Sequence, residues 1–330
     1  LGVLSLAGVS LYLVETREKK GDARIDYAGA LTLSLAVLAL LFIFLLAGQT
    51  VAWDSPWIPA LGVAALVFGT WFAFIERRTQ DPILSISFFK RRGFSSGNAA
   101  VFMSSFAIFA LFGFAPLFIQ GALNKSPMDV AKVMLALSLG WSVGSLVLGR
   151  IVHRWGCKKS AALGAVCLLA GCALTLTFST ATRMSTCFWV FALIGVGMGF
   201  VALATILVVQ NSVDRRDLGA ATASHQFARN LGGTVGVGLC GGIFTFGFTR
   251  VLHSAWAEGV PGGLPPSLAV QIHRNAEIVL RPDIQALLPP EVLLQIQQAV
   301  AHGVMLVFYT AVMAAFLCLL CCWLLPRDSG

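Results

Sequence analysis

The chain has 330 residues, 57% of them apolar and only 12% charged, about half the charge of an ordinary soluble domain. With a mean hydropathy of +0.83, this composition excludes a soluble enzyme, a nucleic-acid-binding domain and a disordered chain. The formal net charge of +8 suits a multi-pass membrane protein that gathers Lys and Arg in its cytoplasmic loops.

Residues 1–14, LGVLSLAGVSLYLV, are apolar from the start and carry no basic stretch of the kind that opens a signal peptide. They read as the end of a membrane helix, and the expectation is a fragment of a longer protein. Residues 15–27 are a polar link. Eight apolar stretches follow, at 28–48, 57–75, 94–120, 130–149, 160–180, 184–210, 219–249 and 301–325. Each has roughly the 20 residues a helix needs to cross a bilayer. They lack the period-two alternation of a membrane barrel, so the fold class predicted is an all-α integral membrane bundle.

The first two stretches form a hairpin, and residues 76–93 return from it. Within that return, ILSISFFKRR has two readings, a segment lying flat on the inner leaflet or a plain linker. Residues 15–93 thus form links and a two-helix insert, and 94–325 a block of six helices. The one long loop, 250–300, contains VPGGLPP and two amphipathic pieces near 267–280 and 290–301, predicted as short surface helices.

Loop charge sets the orientation. Sixteen Lys and Arg fall on one side, among them Arg77, Arg78, Lys90, Arg91, Arg92, Arg150, Arg154, Lys158, Lys159, Arg215 and Arg216. Six fall on the other, and Arg229 lies within a span. The richer side is predicted cytoplasmic, with the C-terminus there. Most of the eight cysteines sit inside apolar runs, where they read as small packing residues; palmitoylation of Cys321 or Cys322 is the alternative. No spacing suggests a metal or cofactor site.

The stretches from 94 to 325 hold no Asp or Glu at membrane depth, Asp129, Asp214 and Asp217 standing at span ends. A proton relay built on a buried carboxylate would lie elsewhere. Asn98, Phe102, Ser105, Phe109, Gly113, Pro116 and Gln120 recur at helical spacing, as a cavity lining or as a packing face. Pro116 removes a backbone hydrogen bond and is expected to bend the outer end of its helix.

In the stretch from 219, Thr222, His225 or Gln226, Arg229, Gly233, Gly236 and Cys240 share a face. Gly232 and Gly236 form a GxxxG pair that permits close helix contact. Arg229 is costly at membrane depth: it either snorkels to the inner headgroups or pairs with a carboxylate of another bundle. Met198 lies in GVGMG, a flexible or closely packed segment. His153 and His225 are pH sensors or structural.

Five segments together resemble the major facilitator superfamily, specifically its fourteen-span drug:proton antiporters of the EmrB/QacA type. They are RIDYAGALTLSLAVLALLF (24–42), DPILSISFFKRRGFSSGN (81–98), APLFIQGALNKSPMDVAKVMLA (115–136), GRIVHRWGCKK (149–159) and QNSVDRRDLGAATASHQFARNLGGTVGVG (210–238). The resemblance implies that 94–325 is the C-terminal six-helix bundle and that an N-terminal bundle precedes this chain. Gly149, Arg154, Gly156, Lys158 and Lys159 then form a cytoplasmic signature loop, in which His153 stands where the family usually has Asp. Asp217, Gly219, Arg229, Gly232 and Gly236 become gating residues. Asn98, Phe102, Ser105, Phe109, Gln120, Met198, Thr222, His225 and Gln226 become candidates for the substrate cavity.

The function implied is export of small amphipathic or cationic compounds in exchange for protons, by alternating access, in a bacterial inner membrane. Its partners would be the substrate, protons, the lipid bilayer and the N-terminal bundle, with no nucleic acid and no enzymatic activity. The alternatives are a carrier of a metabolite, siderophore or sugar, and, in another class, a non-transporting scaffold or sensor.

Overall fold

The computed structural model describes residues 8, 10–11, 26–46, 55–79, 86–255, 271 and 289–326. The described part is helical: α1 Tyr27–Leu46, α2 Trp57–Glu76, α3 Arg92–Leu117, α4 Pro127–Trp155, α5 Cys157–Thr175, α6 Met184–Asn211, α7 Leu218–Ala255 and α8 Pro290–Trp323. Helices α2 to α8 are long and apolar enough to cross a membrane, and α1 is apolar over Tyr27–Ile43.

Local chemistry fixes the helix ends. The Asp26 carboxylate accepts from the Gly29 N–H at 2.8 Å at the start of α1, satisfying one of the donors a helix leaves free at its N-terminus. Ser126 caps α4 by accepting from the Asp129 N–H at 3.3 Å, with Pro127 in the first turn. Pro116 lacks the N–H that its own turn requires, and α3 passes directly into a π-helical turn, Phe118–Ala122. A single residue, Gly156 at φ 78°, joins α4 to α5; the left-handed conformation there suits a residue without Cβ.

Helices α4, α6, α3 and α7 stand side by side in that order, with α5 packed behind α6 and α8 behind α3 and α7. Lipid tails are as apolar as leucine, so in a membrane such packing rests on close fit. Glycine supplies it. A Cβ on Gly232 would strike the Phe102 backbone, and one on Gly236 would lie 2.6 Å from the Phe106 carbonyl oxygen. The insert α1–α2 packs on itself and reaches the bundle through α1 against α7.

Two expectations change. The piece 290–301 is no separate surface helix: it forms the first turns of α8 and buries Val292, Ile296, Ala299 and Val300. The apolar face simply continues at helical spacing past Gln295, Gln297 and Gln298. Helix α7 likewise runs on to Ala255 and α8 begins at Pro290, so both ends of the expected 250–300 loop are helical. The piece 267–280, apart from Gln271, lies outside the described residues, as does most of 1–14.

Candidate functional site

One end of the bundle is basic and tied together through backbone carbonyls. The Arg91 Nη1 donates to the Ser212 carbonyl at 2.5 Å. Arg92 Nε donates to Leu324 O at 2.9 Å and Lys158 Nζ to Leu325 O at 2.6 Å. These bonds hold the starts of α3 and α5 against the ends of α6 and α8. Within α3–α8, nine Lys and Arg lie at this end (Lys90, Arg91, Arg92, Arg150, Arg154, Lys158, Lys159, Arg215 and Arg216) and four at the other (Lys125, Lys132, Arg183 and Arg250).

The described part of ILSISFFKRR, from Ile86, lies at this end. A 3-10 turn at Ile86–Lys90 buries Phe88, whose ring lies 5.5 Å from Phe94 in a small cluster with Val209 and Ala221. The segment is clamped to the bundle at Phe88, while Phe89 stays exposed.

The stretch 149–159 ends α4 and opens α5 in a tight corner. Gly156 makes the turn, Lys158 binds Leu325, and Arg154, Lys159 and His153 are exposed. Gly149 and Gly219 are exposed, with open space where a Cβ would be. Asp217 stands in the turn Arg215–Asp217 that opens α7, 3.9 Å from Arg216 Nε, a surface pair of small energetic weight.

A ladder of side chains then climbs the shared face of α7. Thr222 accepts from Gln210 Nε2 at 2.9 Å while donating to Leu218 O at 2.7 Å. One turn on, His225 Nε2 lies 2.9 Å from Thr205 Oγ1. The Thr205 proton is committed to the Val201 carbonyl at 2.7 Å, so Nε2 is the donor to Thr205 and Nδ1 keeps a buried lone pair without a partner. Another turn on, the Arg229 guanidinium lies over the Trp141 ring of α4, 5.2 Å from its centroid. Helices α4 and α7 end the row, and this cation–π contact spans the gap between them. Arg229 Nε is buried without a hydrogen-bond partner, and Arg229 forms no ion pair among the described residues.

The α3 stripe divides. Phe102, Phe109 and Gln120 are half-buried. Phe109 packs its ring against Gly233 of α7. Asn98 and Ser105 turn inward: Asn98 Nδ2 donates to Phe94 O at 2.9 Å, while Asn98 Oδ1 and Ser105 Oγ are buried without partners among the described residues. Met198 is fully buried in the main core, and Gln226 is exposed. The candidates that the fold gathers at membrane depth are thus Phe102, Phe109 and Arg229, with Trp141 added. Trp141 was not among the sequence candidates, although Ser138, Trp141, Ser142 and Ser145 form a stripe at helical spacing that marks it.

Residues 27–237 match the Major Facilitator Superfamily. The chain belongs to that superfamily. It is 28% identical over 318 residues to the multidrug transporter protein MdtP of Bacillus subtilis, covering 95% of this chain and 58% of that protein. It is 28% identical over 249 residues to the puromycin resistance protein pur8 of Streptomyces alboniger, covering 74% of this chain and 49% of that one. A crystal structure of a bacterial homologue of the human lysosomal transporter Spinster, inward-facing and unoccupied, shares the fold. Its TM-score is 0.52 at 12% identity, over 92% of this chain and 67% of that one. The chain therefore spans 58% of MdtP and 49% of pur8.

Proposed function

We propose that this chain is the C-terminal bundle, with its two-helix insert, of a fourteen-span exporter that moves small amphipathic molecules out of a bacterial cell in exchange for protons. The observation that carries this reading is the α4–α6–α3–α7 row, along which Phe102, Phe109, Trp141 and Arg229 are only half-buried and Arg229 meets Trp141 across the row. Aromatic rings suit the planar apolar body of a drug. The resistance and multidrug names of the relatives support the choice of cargo. The basic end faces the cytoplasm on this reading, the C-terminus with it. Alternating access needs a second bundle to rock against this wall. The proton-carrying acid belongs to that second bundle, because α3–α8 carry no Asp or Glu away from their ends.

Expressed with its upstream sequence in a drug-hypersensitive bacterial strain, the transporter lowers accumulation of a panel of amphipathic dyes, and a protonophore abolishes the effect. Accumulation equal to that of empty-vector cells refutes drug export. Efflux that survives the protonophore refutes proton coupling.

A further inference from the structure

Arg229 lies eleven residues, about 16 Å, along α7 from Leu218. At that depth a guanidinium is costly unless its donors are used. It has five N–H donors. The Trp141 ring centroid lies 5.2 Å from the guanidinium carbon, and Nε stays buried without a hydrogen-bond partner. The cation–π contact holds the guanidinium near α4.

The surroundings have one electrostatic sign. No Asp or Glu stands on α3 or α6, Asp129 of α4 sits at the far end, and Arg229 is the fixed charge in the middle of the row. A cation brought against this wall meets a like charge with no acid on the wall to offset it. An anion meets an unspent fork in a water-poor setting, where such a bond is strong. The shape fits a planar partner. Gly232 and Gly233, on the turn after Arg229, bring the Phe102 backbone and the Phe109 ring of α3 against α7 one turn further along the helix.

We propose that Arg229, Trp141, Phe102 and Phe109 form a subsite for the acidic group and adjoining ring of an aromatic acid, a carboxylate or phenolate on a planar apolar body. The proposal rests on the drug-export reading and adds the charge class of cargo this wall accepts. It differs from a gating role, in which Arg229 would pair with a carboxylate of the other bundle at each cycle and serve every substrate equally.

The test uses the full-length transporter in everted membrane vesicles, with fluorescein as the anionic aromatic probe and ethidium as the permanent cation. Wild type, Arg229→Gln and Arg229→Lys are compared at matched protein level, each checked for a monodisperse size-exclusion peak. The subsite predicts that Arg229→Gln lowers fluorescein transport about tenfold or more, the worth of a hydrogen bond to a charged group, and lowers it far more than it lowers ethidium transport. Arg229→Lys retains part of the fluorescein transport, since the charge stays and the fork is lost. Equal loss of both probes in Arg229→Gln overturns the subsite in favour of a gate. Unchanged fluorescein transport overturns it in favour of snorkelling. A wild type that moves ethidium but not fluorescein overturns the subsite and leaves drug export standing. A wild type that moves neither defeats both.

Discussion

Replacing Gly195 by alanine adds one methyl group at the tightest crossing in the bundle. Helices α4 and α6 meet through glycines on both sides: Gly140 and Gly144 rest on the backbone of Ala192 and Val196, and Gly195 and Gly199 on that of Leu137 and Trp141. A Cβ on Gly195 would stand 2.8 Å from the Trp141 nitrogen and 3.0 Å from the Leu137 carbonyl carbon, with the Leu137 oxygen nearer still. All three are backbone atoms of a regular helix, so none can rotate away. The helices must part by about an ångström, and dispersion contacts along the crossing weaken together. Overpacking of this kind costs about 1–3 kcal/mol. Gly69 on α2 is the matched control. Nothing lies within 4 Å of its Cβ position, so Gly69→Ala gains helix propensity worth up to about 1 kcal/mol. Cys172 and Cys187 are fully buried, so a thiol-reactive dye reports unfolding in detergent as a function of temperature. Gly195→Ala melts below wild type and Gly69→Ala at or above it. Equal melting of the two variants would refute the claim that backbone contact at this crossing sets stability.

Thr205→Val removes the acceptor of the His225 Nε2 proton and leaves a buried donor unpaired, at about 1–3 kcal/mol; Thr205→Ser keeps the oxygen and melts near wild type in the same dye assay. A single cysteine at Lys159 is labelled from the cytoplasmic side by an impermeant maleimide, and one at Thr180, in the turn between α5 and α6, from the opposite side; labelling of both from one side refutes the topology.

The helices were legible because hydropathy and loop charge report the same boundaries independently: the stretch from 94 becomes α3 from Arg92, and that from 219 becomes α7 from Leu218. The start of α8 was not legible, because Gln295, Gln297 and Gln298 lower local hydropathy while the buried Val292, Ile296 and Val300 keep the helical period unbroken. The α3 stripe was half legible. Asn98, Phe102, Ser105 and Phe109 fall within about 60° of one another around a helix, and the edge of the contact with α7 runs through that arc. Phe102 and Phe109 stay half-buried, while Asn98 and Ser105 are buried. Spacing within one helix cannot locate an edge that a second helix draws. The same holds for Trp141, whose role depends on an arginine 88 positions away in the sequence.

The distribution of small residues bears on how such a wall can move. Glycines seat α4 on α6 and α3 on α7, and Gly303 of α8 meets Gly247 and Phe244 of α7. Backbone contacts of this kind have little slack, because separating them loses packing that lipid does not replace in kind. The basic end adds three side chain-to-carbonyl ties between helix ends. Sliding any one helix of the row would break several of these at once. The polar ladder of Thr222, His225 and Arg229 crosses from α7 to α6 and then to α4, so it too is severed by internal shear and kept by rigid rotation. A substrate held between Arg229 and the rings of Phe102 and Phe109 would therefore be carried by the bundle moving as one body, with affinity set by what the opposing bundle adds or withdraws.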